Sequence, residues 1–194
     1  MPIAEVRSAN EFIELLRGRV SDRTFKHCVG TAEFIMFLAP YAGLDRDAAV
    51  TAGLLHDLCK GIDDATMLAE ADRYGIPVRE TQRHKPGLLH GPVAAEEVQR
   101  TLGIEDAAIR EAIRWHTTGH PGWCTLGLAL YVADFAEETR DFDDAGEARE
   151  ILHAQGFRET VLFVCRRKLI HIRKKPHVDP MTEAFHTWLE TEWT

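Results

Sequence analysis

The sequence predicts an all-α helical bundle in a single domain that spans residues 1–194. Apolar residues recur at spacings of three and four through most of the chain, as they do on one face of an α-helix. Residues that cap helices, chiefly Ser, Asp and Gly, separate these periodic segments. No segment alternates apolar and polar residues in the way that predicts a strand.

Cap residues predict four helices in the first part of the chain. Ser8 and Glu11 have the spacing of a capping box, and Ser21 or Asp22 opens a longer helix that ends at Gly43. Two further helices are predicted, one after Asp45 that carries His56 and Asp57 as far as Gly61, and one from Asp63 to about Tyr74.

The middle of the chain predicts a long connection followed by three helices. Residues 75–91 contain several Pro and Gly residues and form the longest predicted loop. The helices after it begin with Pro92 at the favoured first position, at Asp106, and at about Cys124. The last third predicts two or three more helices, with a proline-containing elbow from Pro176 to Pro180.

Composition and charge exclude several classes of protein. The formal net charge of −8 argues against general nucleic-acid binding, which needs a basic surface. No apolar run is long enough to span a membrane, and the first residues lack the pattern of a signal peptide. The four cysteines form no C-x-x-C pair, which favours a reducing, cytoplasmic location. The oligomeric state stays open.

The stretch from Gly53 to Lys60 carries the strongest chemical signal. His56 and Asp57 are adjacent, and Lys60 would lie one helical turn further on the same face. A neutral imidazole and a carboxylate are good ligands for a divalent transition metal, and the lysine could hold an anion beside it. An isolated His-Asp pair is more often a surface or cap feature, so the interpretation depends on its neighbours.

Four other residues extend this pair to a predicted metal site. His27 lies beside small residues on an inward helical face, whereas His90 and His116 lie at helix ends. Asp134 lies on an apolar stripe, where a buried carboxylate is costly unless a cation compensates it. Several helices of one bundle can present convergent ligands to a shared metal.

These residues resemble the HD-domain superfamily of metal-dependent phosphohydrolases. His27, His56, Asp57 and Asp134 match its H…HD…D pattern. Finer details resemble the YqeK-like branch, the symmetrical diadenosine tetraphosphatases: LHD-x-x-K at 55–60, LHGPV at 89–93, HTTG at 116–119 and ADF-x-E-x-x-R at 133–140. The resemblance covers most of the chain, from about Thr24 to Thr182.

The resemblance implies a metal core and a nucleotide pocket. Iron would be held by His27, His56, Asp57 and Asp134, with His90 and His116 facing the phosphates or holding a second metal; manganese, cobalt, nickel and zinc are the alternatives. The ligand core would cover about 22–140, and C-terminal helices of about 146–194 would complete the pocket. The implied substrate-binding residues are Arg23, Thr24, Lys60, His90, His116, Thr117, Arg140, His177, Val178, Asp179, Pro180, Met181 and Thr182.

The sequence differs from the family pattern in two regions. The family usually has an arginine three residues before the first histidine, where this chain has Thr24, with Arg23 one residue earlier. The family's I-E-P-x-R is Ala136-Glu137-Glu138-Thr139-Arg140 here, and His177 stands where a proline is typical. These differences concern loop shape and substrate fit more than the metal ligands.

The implied function is symmetrical hydrolysis of diadenosine tetraphosphate into two ADP. A metal-activated water would attack phosphorus in line, with Asp57, Lys60, His90 and His116 as catalytic side chains and Arg140 stabilising charge. The alternatives are another HD-type nucleotidase or phosphodiesterase, and a non-catalytic nucleotide-sensing module. The Gly-Tyr-Pro signature of cyclic-dinucleotide phosphodiesterases is absent after Gly119, and the intact ligand set disfavours a sensing module.

The remaining histidines and the basic clusters have no predicted role in the site. His84, His120, His153, His171 and His186 are interpreted as surface or structural residues. The basic clusters near the C-terminus are more often a solvated helix face than a nucleic-acid patch; they comprise Arg166, Arg167, Lys168, Arg173, Lys174 and Lys175.

Overall fold

The computed structural model describes residues 8–193, and all regular secondary structure in this range is helical. No strand occurs in that range, so the all-α prediction is confirmed. Residues 1–7, including the segment without a signal-peptide pattern, and Thr194 lie outside the described residues. The α-helices are α1 Ala9–Arg19, α2 Asp22–Ala42, α3 Arg46–Leu55, α4 Asp64–Arg73, α5 Glu80–His84, α6 His90–Leu102, α7 Ala107–Trp115, α8 Thr125–Ala136, α9 Asp143–Gln155, α10 Phe157–Ile172 and α11 Pro180–Thr191.

The predicted cap residues mark the observed helix starts. Ser8 and Glu11 form the capping box at the start of α1, and Gly43 ends α2 in a left-handed conformation with φ 62°. At the predicted caps Ser8, Ser21, Asp45, Asp63 and Asp106, a side-chain oxygen accepts a backbone N–H from the first turn of the helix, and Asp179 caps α11 in the same way. Cap hydrogen bonds are local, which is why the sequence locates these starts well.

The prediction that one helix carries Asp57 and Lys60 is wrong, because α3 ends at Leu55. Beyond it the chain forms turns in which the Leu58 N–H donates to the Leu55 carbonyl at 3.2 Å and the Lys60 N–H donates to the Asp57 carbonyl at 2.9 Å. These tighter turns still return Lys60 to Asp57. The expected contact between the side chains of Lys60 and Asp57 therefore occurs in a series of turns and not in an α-helix.

The prediction of a long loop at 75–91 is also wrong, since this segment contains α5 and a 3-10 helix, Pro86–Leu89. Helix α6 begins at His90, so Pro92 is its third residue rather than its first. Pro92 is tolerated there because the first four N–H groups of a helix have no partner within the helix. His90 is therefore held at a helix start.

Helix α8 lies at the centre of the bundle. It packs against α2, α3, α7, α9 and α10, and every residue from Leu126 to Ala133 is buried. A helix that is apolar on all sides belongs in a core. Asp134 directly follows this run, so its carboxylate lies where side chains from several helices reach it.

A close crossing sets the distance between α2 and α3. A Cβ atom at Gly53 would lie 2.6 Å from the Cα of Ala32, so only glycine fits at this crossing. Because His27 and His56 lie near the crossing on their two segments, the close approach brings their rings together. Gly53 is thus part of the scaffold of the site.

Three helices, α9 to α11, form the C-terminal third, as predicted. Helix α10 packs against α8 and α11, which brings its inner face to the end of α8. All four cysteines carry free thiols, and Cys28, Cys59 and Cys165 are buried. Within the described helices, none combines the length and apolar character needed to cross a membrane.

Candidate metal centre

Four side chains predicted as ligands converge at the end of α8. The Nε2 atom of His27 lies 3.3 Å from Nε2 of His56 and 3.1 Å from Oδ1 of Asp134. Oδ2 of Asp57 lies 3.4 Å from Nε2 of His56 and 3.7 Å from Nε2 of His27. We call His27, His56, Asp134 and this oxygen of Asp57 the first donor group.

Asp57 also faces a second donor group, which consists of its Oδ1 with His90 and His116. Oδ1 lies 3.1 Å from Nε2 of His90 and 3.4 Å from Nε2 of His116. The two Nε2 atoms are 2.9 Å apart. One carboxylate therefore joins the two groups, with one oxygen directed to each.

A hydrogen bond on the far side of each imidazole fixes its orientation. In each ring Nδ1 lies 2.6–3.0 Å from an oxygen that can only accept: His27 with Glu137 Oε1, His56 with the Gly53 carbonyl, His90 with the Gly87 carbonyl and His116 with the Ile113 carbonyl. In the neutral ring, these contacts favour the tautomer with its proton on Nδ1 and a lone pair on Nε2. Such partners are typical of histidines that bind metals.

A cation in each donor group would account for the opposed lone pairs. Two Nε2 atoms that both lack a proton cannot hydrogen-bond to each other, yet they approach closely in both groups. Oδ1 of Asp57 is buried and has no hydrogen-bond partner in the described part of the chain. At a metal–ligand distance of about 2.1 Å, neighbouring ligands lie about 3.0–3.4 Å apart. The second donor group has about this spacing, and the first is wider, with Nε2 of His56 4.0 Å from Oδ1 of Asp134, so each group could hold a divalent metal.

The protonation states of Asp57 and His116 favour metal binding near neutral pH, whereas burial would lower the pKa of His27 but Asp134 and Glu137 raise it above its ordinary value. Burial alone would raise the pKa of Asp57, but His56, His116 and His90 hold that pKa well below its usual range. Burial lowers the pKa of His116 to about 4. Carboxylate and neutral imidazole are the forms that bind a metal.

Two predicted cations lie beside the donor groups. Nζ of Lys60 donates to Oδ2 of Asp57 at 2.6 Å, and Nη2 of Arg140 donates to Oδ1 of Asp134 at 3.2 Å. Burial would lower the pKa of Lys60, but Asp57 and Asp134 raise it above its ordinary value, so the amine stays charged. Both side chains are partly exposed, at 45% for Lys60 and 30% for Arg140. They can therefore reach an anion in solvent.

Lys168 is a third cation of the site, and its interpretation as part of a solvated helix face is wrong. Its Nζ donates to Oδ2 of Asp134 at 3.1 Å and lies 3.8 Å from the centre of the Tyr131 ring. Only 16% of the side chain is exposed. The available signal was its spacing, because Lys168 follows the buried Val161 and Val164 by seven and four residues on α10.

Glu137 supports the first donor group and had no predicted role beyond its place in a motif. It is fully buried, and its Oε1 accepts from His27 Nδ1 at 3.0 Å and from Thr139 Oγ1 at 2.6 Å. Its Oε2 accepts from the Thr139 N–H at 2.6 Å. A Cβ atom at Gly30 would collide with this carboxylate, so the glycine makes room for it.

A cavity of about 320 Å³ adjoins the second donor group. Thr117 lines it, and Oγ1 of Thr117 lies 3.2 Å from Nε2 of His116 and 3.4 Å from Nε2 of His90. We call this space the Thr117 cavity. Its lining also includes His177, Asp179 and Thr182, which are predicted to bind substrate, together with His84 and His171, which are predicted to be surface or structural residues.

The elbow is held in place by Asp179. Its Oδ2 accepts from Arg79 at 3.0 Å and from Thr81 at 2.9 Å, and its Oδ1 accepts from the Met181 N–H at 3.0 Å. Val178 and Pro180 line a neighbouring shallow pocket. Asp179 thus has structural partners in addition to its place in the cavity wall.

Arg23 and Thr24 lie near the start of α2, one helical turn before His27. The N–H and Oγ1 of Thr24 lie 3.2 Å and 3.0 Å from Oγ of Ser21, which is a helix-cap arrangement. Arg23 is exposed. The substrate-binding role of these two residues stays a prediction.

Sequence comparison identifies the family of the chain. The HD domain family matches residues 24–148, and the chain belongs to this family, whose members bind divalent metals. The chain is 30% identical over 179 residues to the symmetrical bis(5'-nucleosyl)-tetraphosphatase of Bacillus subtilis, a match that covers 92% of this chain and 96% of that protein. The protein with the same name from Staphylococcus aureus is 26% identical over 162 residues, 83% of each chain.

A solved structure confirms the fold. The chain superposes with a TM-score of 0.89 on a predicted HD superfamily hydrolase involved in NAD metabolism from Clostridium acetobutylicum. The alignment covers 96% of this chain and 98% of that one at 23% identity.

Proposed function

We propose that this protein is a metal-dependent hydrolase that cuts diadenosine tetraphosphate symmetrically into two ADP. The observation that carries the proposal is the pair of donor groups joined by Asp57, in which unprotonated Nε2 atoms face one another. The relatives named symmetrical bis(5'-nucleosyl)-tetraphosphatases support the choice of substrate, since one of them matches over nearly its whole length. The free thiols are compatible with the cytoplasmic location that we also propose.

The donor sets suit one or two divalent transition metals. Mixed imidazole and carboxylate ligands are compatible with iron, which we propose, and also with manganese, cobalt, nickel or zinc. When bound, such a metal supplies Lewis acidity that lowers the pKa of a water and makes hydroxide available near neutral pH.

The cations of the chain are placed to stabilise phosphoryl oxygens. Phosphoryl transfer depends mainly on positioning and on compensation of charge at these oxygens. Lys60 is fixed by Asp57, whereas Arg140 and Lys168 are fixed by Asp134, so all three charges are in place before a substrate arrives.

Substrate binding would involve the Thr117 cavity and the segment 177–182, which includes most of the elbow. The cavity adjoins the second donor group, so a nucleoside in it would direct its phosphates towards His90 and His116. In this proposal the core of about 22–140 supplies the donors, and the helices of about 146–194 complete the pocket. Arg23 or Thr24 would contact the substrate from the start of α2.

Product analysis tests the proposal directly. Metal-loaded protein is incubated with diadenosine tetraphosphate, and early products are separated by anion-exchange chromatography. ADP as the sole initial product is expected, whereas equimolar ATP and AMP would reject symmetrical cleavage. Asp57→Ala should abolish turnover and remove most of the metal, because Asp57 serves both donor groups, while the helical circular dichroism persists.

The same assay separates the alternatives. Turnover of mononucleotides or cyclic dinucleotides in place of diadenosine tetraphosphate would identify another HD-type hydrolase. Tight nucleotide binding without turnover of any of these compounds would identify a sensing module.

A further inference from the structure

A second cavity, of about 520 Å³, adjoins the first donor group. Its lining includes Asp134, Arg140 and Lys168, the residues that meet at the end of α8, and we call it the Phe142 cavity after an aromatic residue in its wall. The Thr117 cavity adjoins the other donor group. Both volumes lie in the range of about 300–1,000 Å³ that is common for small-molecule sites.

The two cavities share one boundary. His171 and Ile172, at the end of α10, line both of them. The end of this helix therefore lies between the two spaces, and each space adjoins one of the two donor groups that Asp57 joins. A ligand that occupied both cavities would pass its middle across the metal centre.

The Phe142 cavity has the chemistry of a nucleotide site. Phe142 and Phe135 pack edge to face, with ring centres 5.1 Å apart, and 41% of Phe142 is exposed, which leaves ring surface for a base. Bases stack on aromatic side chains and on Arg guanidinium groups. Arg167 pairs with Asp144 in the cavity wall, and its buried Nε has no hydrogen-bond partner among the described residues.

We propose that the Phe142 cavity binds the second nucleoside of a dinucleoside polyphosphate, while the Thr117 cavity binds the first. This inference rests on the proposed function, because it assumes a substrate with a nucleoside at each end. The arrangement places one half of the substrate beside each donor group and the central phosphates next to Asp57. In this arrangement, Arg140 and Lys168 contact the phosphates in the second half of the substrate.

Binding of two ligands that differ by one nucleoside tests the proposal. The first is diadenosine tetraphosphate with a methylene group in place of its central bridging oxygen, and the second is adenosine 5'-tetraphosphate, which lacks one nucleoside. Titration calorimetry with metal-loaded protein gives the Kd of each. Phe142→Ala should raise the Kd of the diadenosine ligand about five- to thirtyfold through the loss of base stacking, and should leave the Kd of adenosine tetraphosphate within about twofold.

Matched variants separate stacking from general damage. Phe142→Tyr keeps the ring and should keep the wild-type Kd for both ligands. Phe37→Ala removes an aromatic residue of similar exposure, 43%, from α2 and should change neither Kd. Circular dichroism verifies that each variant is folded.

The inference is overturned if Phe142→Ala weakens both ligands equally or weakens neither. Binding is measured apart from turnover, so the proposed function can fail separately. A selective loss of diadenosine binding in a protein that never cleaves diadenosine tetraphosphate would keep the second subsite and reject the hydrolase activity.

Discussion

Replacement of Glu137 by Gln should weaken metal binding by changing the protonation of His27. The carboxylate accepts from His27 Nδ1 and from both the N–H and the hydroxyl of Thr139. Burial would raise the pKa of Glu137, but these hydrogen bonds lower it, so the native residue is an acceptor with a full charge. A glutamine amide has one acceptor oxygen for the same three donors.

The consequence for His27 follows from the geometry. If the amide oxygen accepts from Thr139, the NH2 group faces Nδ1 of His27 and favours the tautomer with its proton on Nε2. That tautomer has no lone pair on Nε2, the atom that faces the first donor group. A hydrogen bond to a charged group contributes about 1.5–3 kcal/mol, which corresponds to an affinity loss of about 10- to 100-fold.

Metal titration measures this loss. Metal-free protein is prepared with a chelator, and the Kd for Co²⁺ or Mn²⁺ is determined for the wild type and the variant at neutral pH. Glu138→Gln is the matched control, because Glu138 is the next residue and its side chain is 76% exposed. Wild-type affinity in Glu137→Gln, or an equal loss in both variants, would refute the reasoning.

Three further changes test other parts of the structure. Lys168→Met should lower kcat/KM for diadenosine tetraphosphate about 10- to 100-fold in a turnover assay, because a charge beside Asp134 is lost. Gly53→Ala should destabilise the protein by about 1–3 kcal/mol in urea denaturation, because its Cβ would overlap with α2. Metal-free protein should melt at lower temperature as the pH falls from 6.5 to about 4, since burial lowers the pKa of His116 to about 4 and only the unfolded chain takes up this proton in that window.

Each of these has a control or a contrary outcome. Arg166→Met removes a charge from α10 whose side chain is 53% exposed, so a loss of turnover equal to that of Lys168→Met would assign the effect to general charge. Gly18→Ala adds a methyl group with no atom within 4 Å and should not destabilise the protein. A melting temperature that rises between pH 6.5 and pH 4 would contradict the argument from His116.

The helix starts and the types of donor residue could be predicted from the sequence because they depend on local features. Ser8, Ser21 and Asp45 cap their helices through contacts within three residues, so no tertiary information was needed. The six donor residues could be selected because a histidine or carboxylate among apolar neighbours needs a compensating partner. The same rules overextended the helix beyond Leu55, since nothing local distinguishes its last turn from the tighter turns that follow.

Only the tertiary structure decided how the site is completed. His27 meets Glu137 across 110 positions of sequence, and Lys168 meets Asp134 across 34, and no periodic pattern encodes which helix ends become neighbours. Its spacing from Val161 and Val164 could have assigned Lys168 to the buried face of α10, but only the packing of α10 on α8 brings it to Asp134. The two cavities likewise exist because α10 ends between them. Sequence periodicity shows which face of a helix is buried, but the packing of the other helices determines which side chains that face meets.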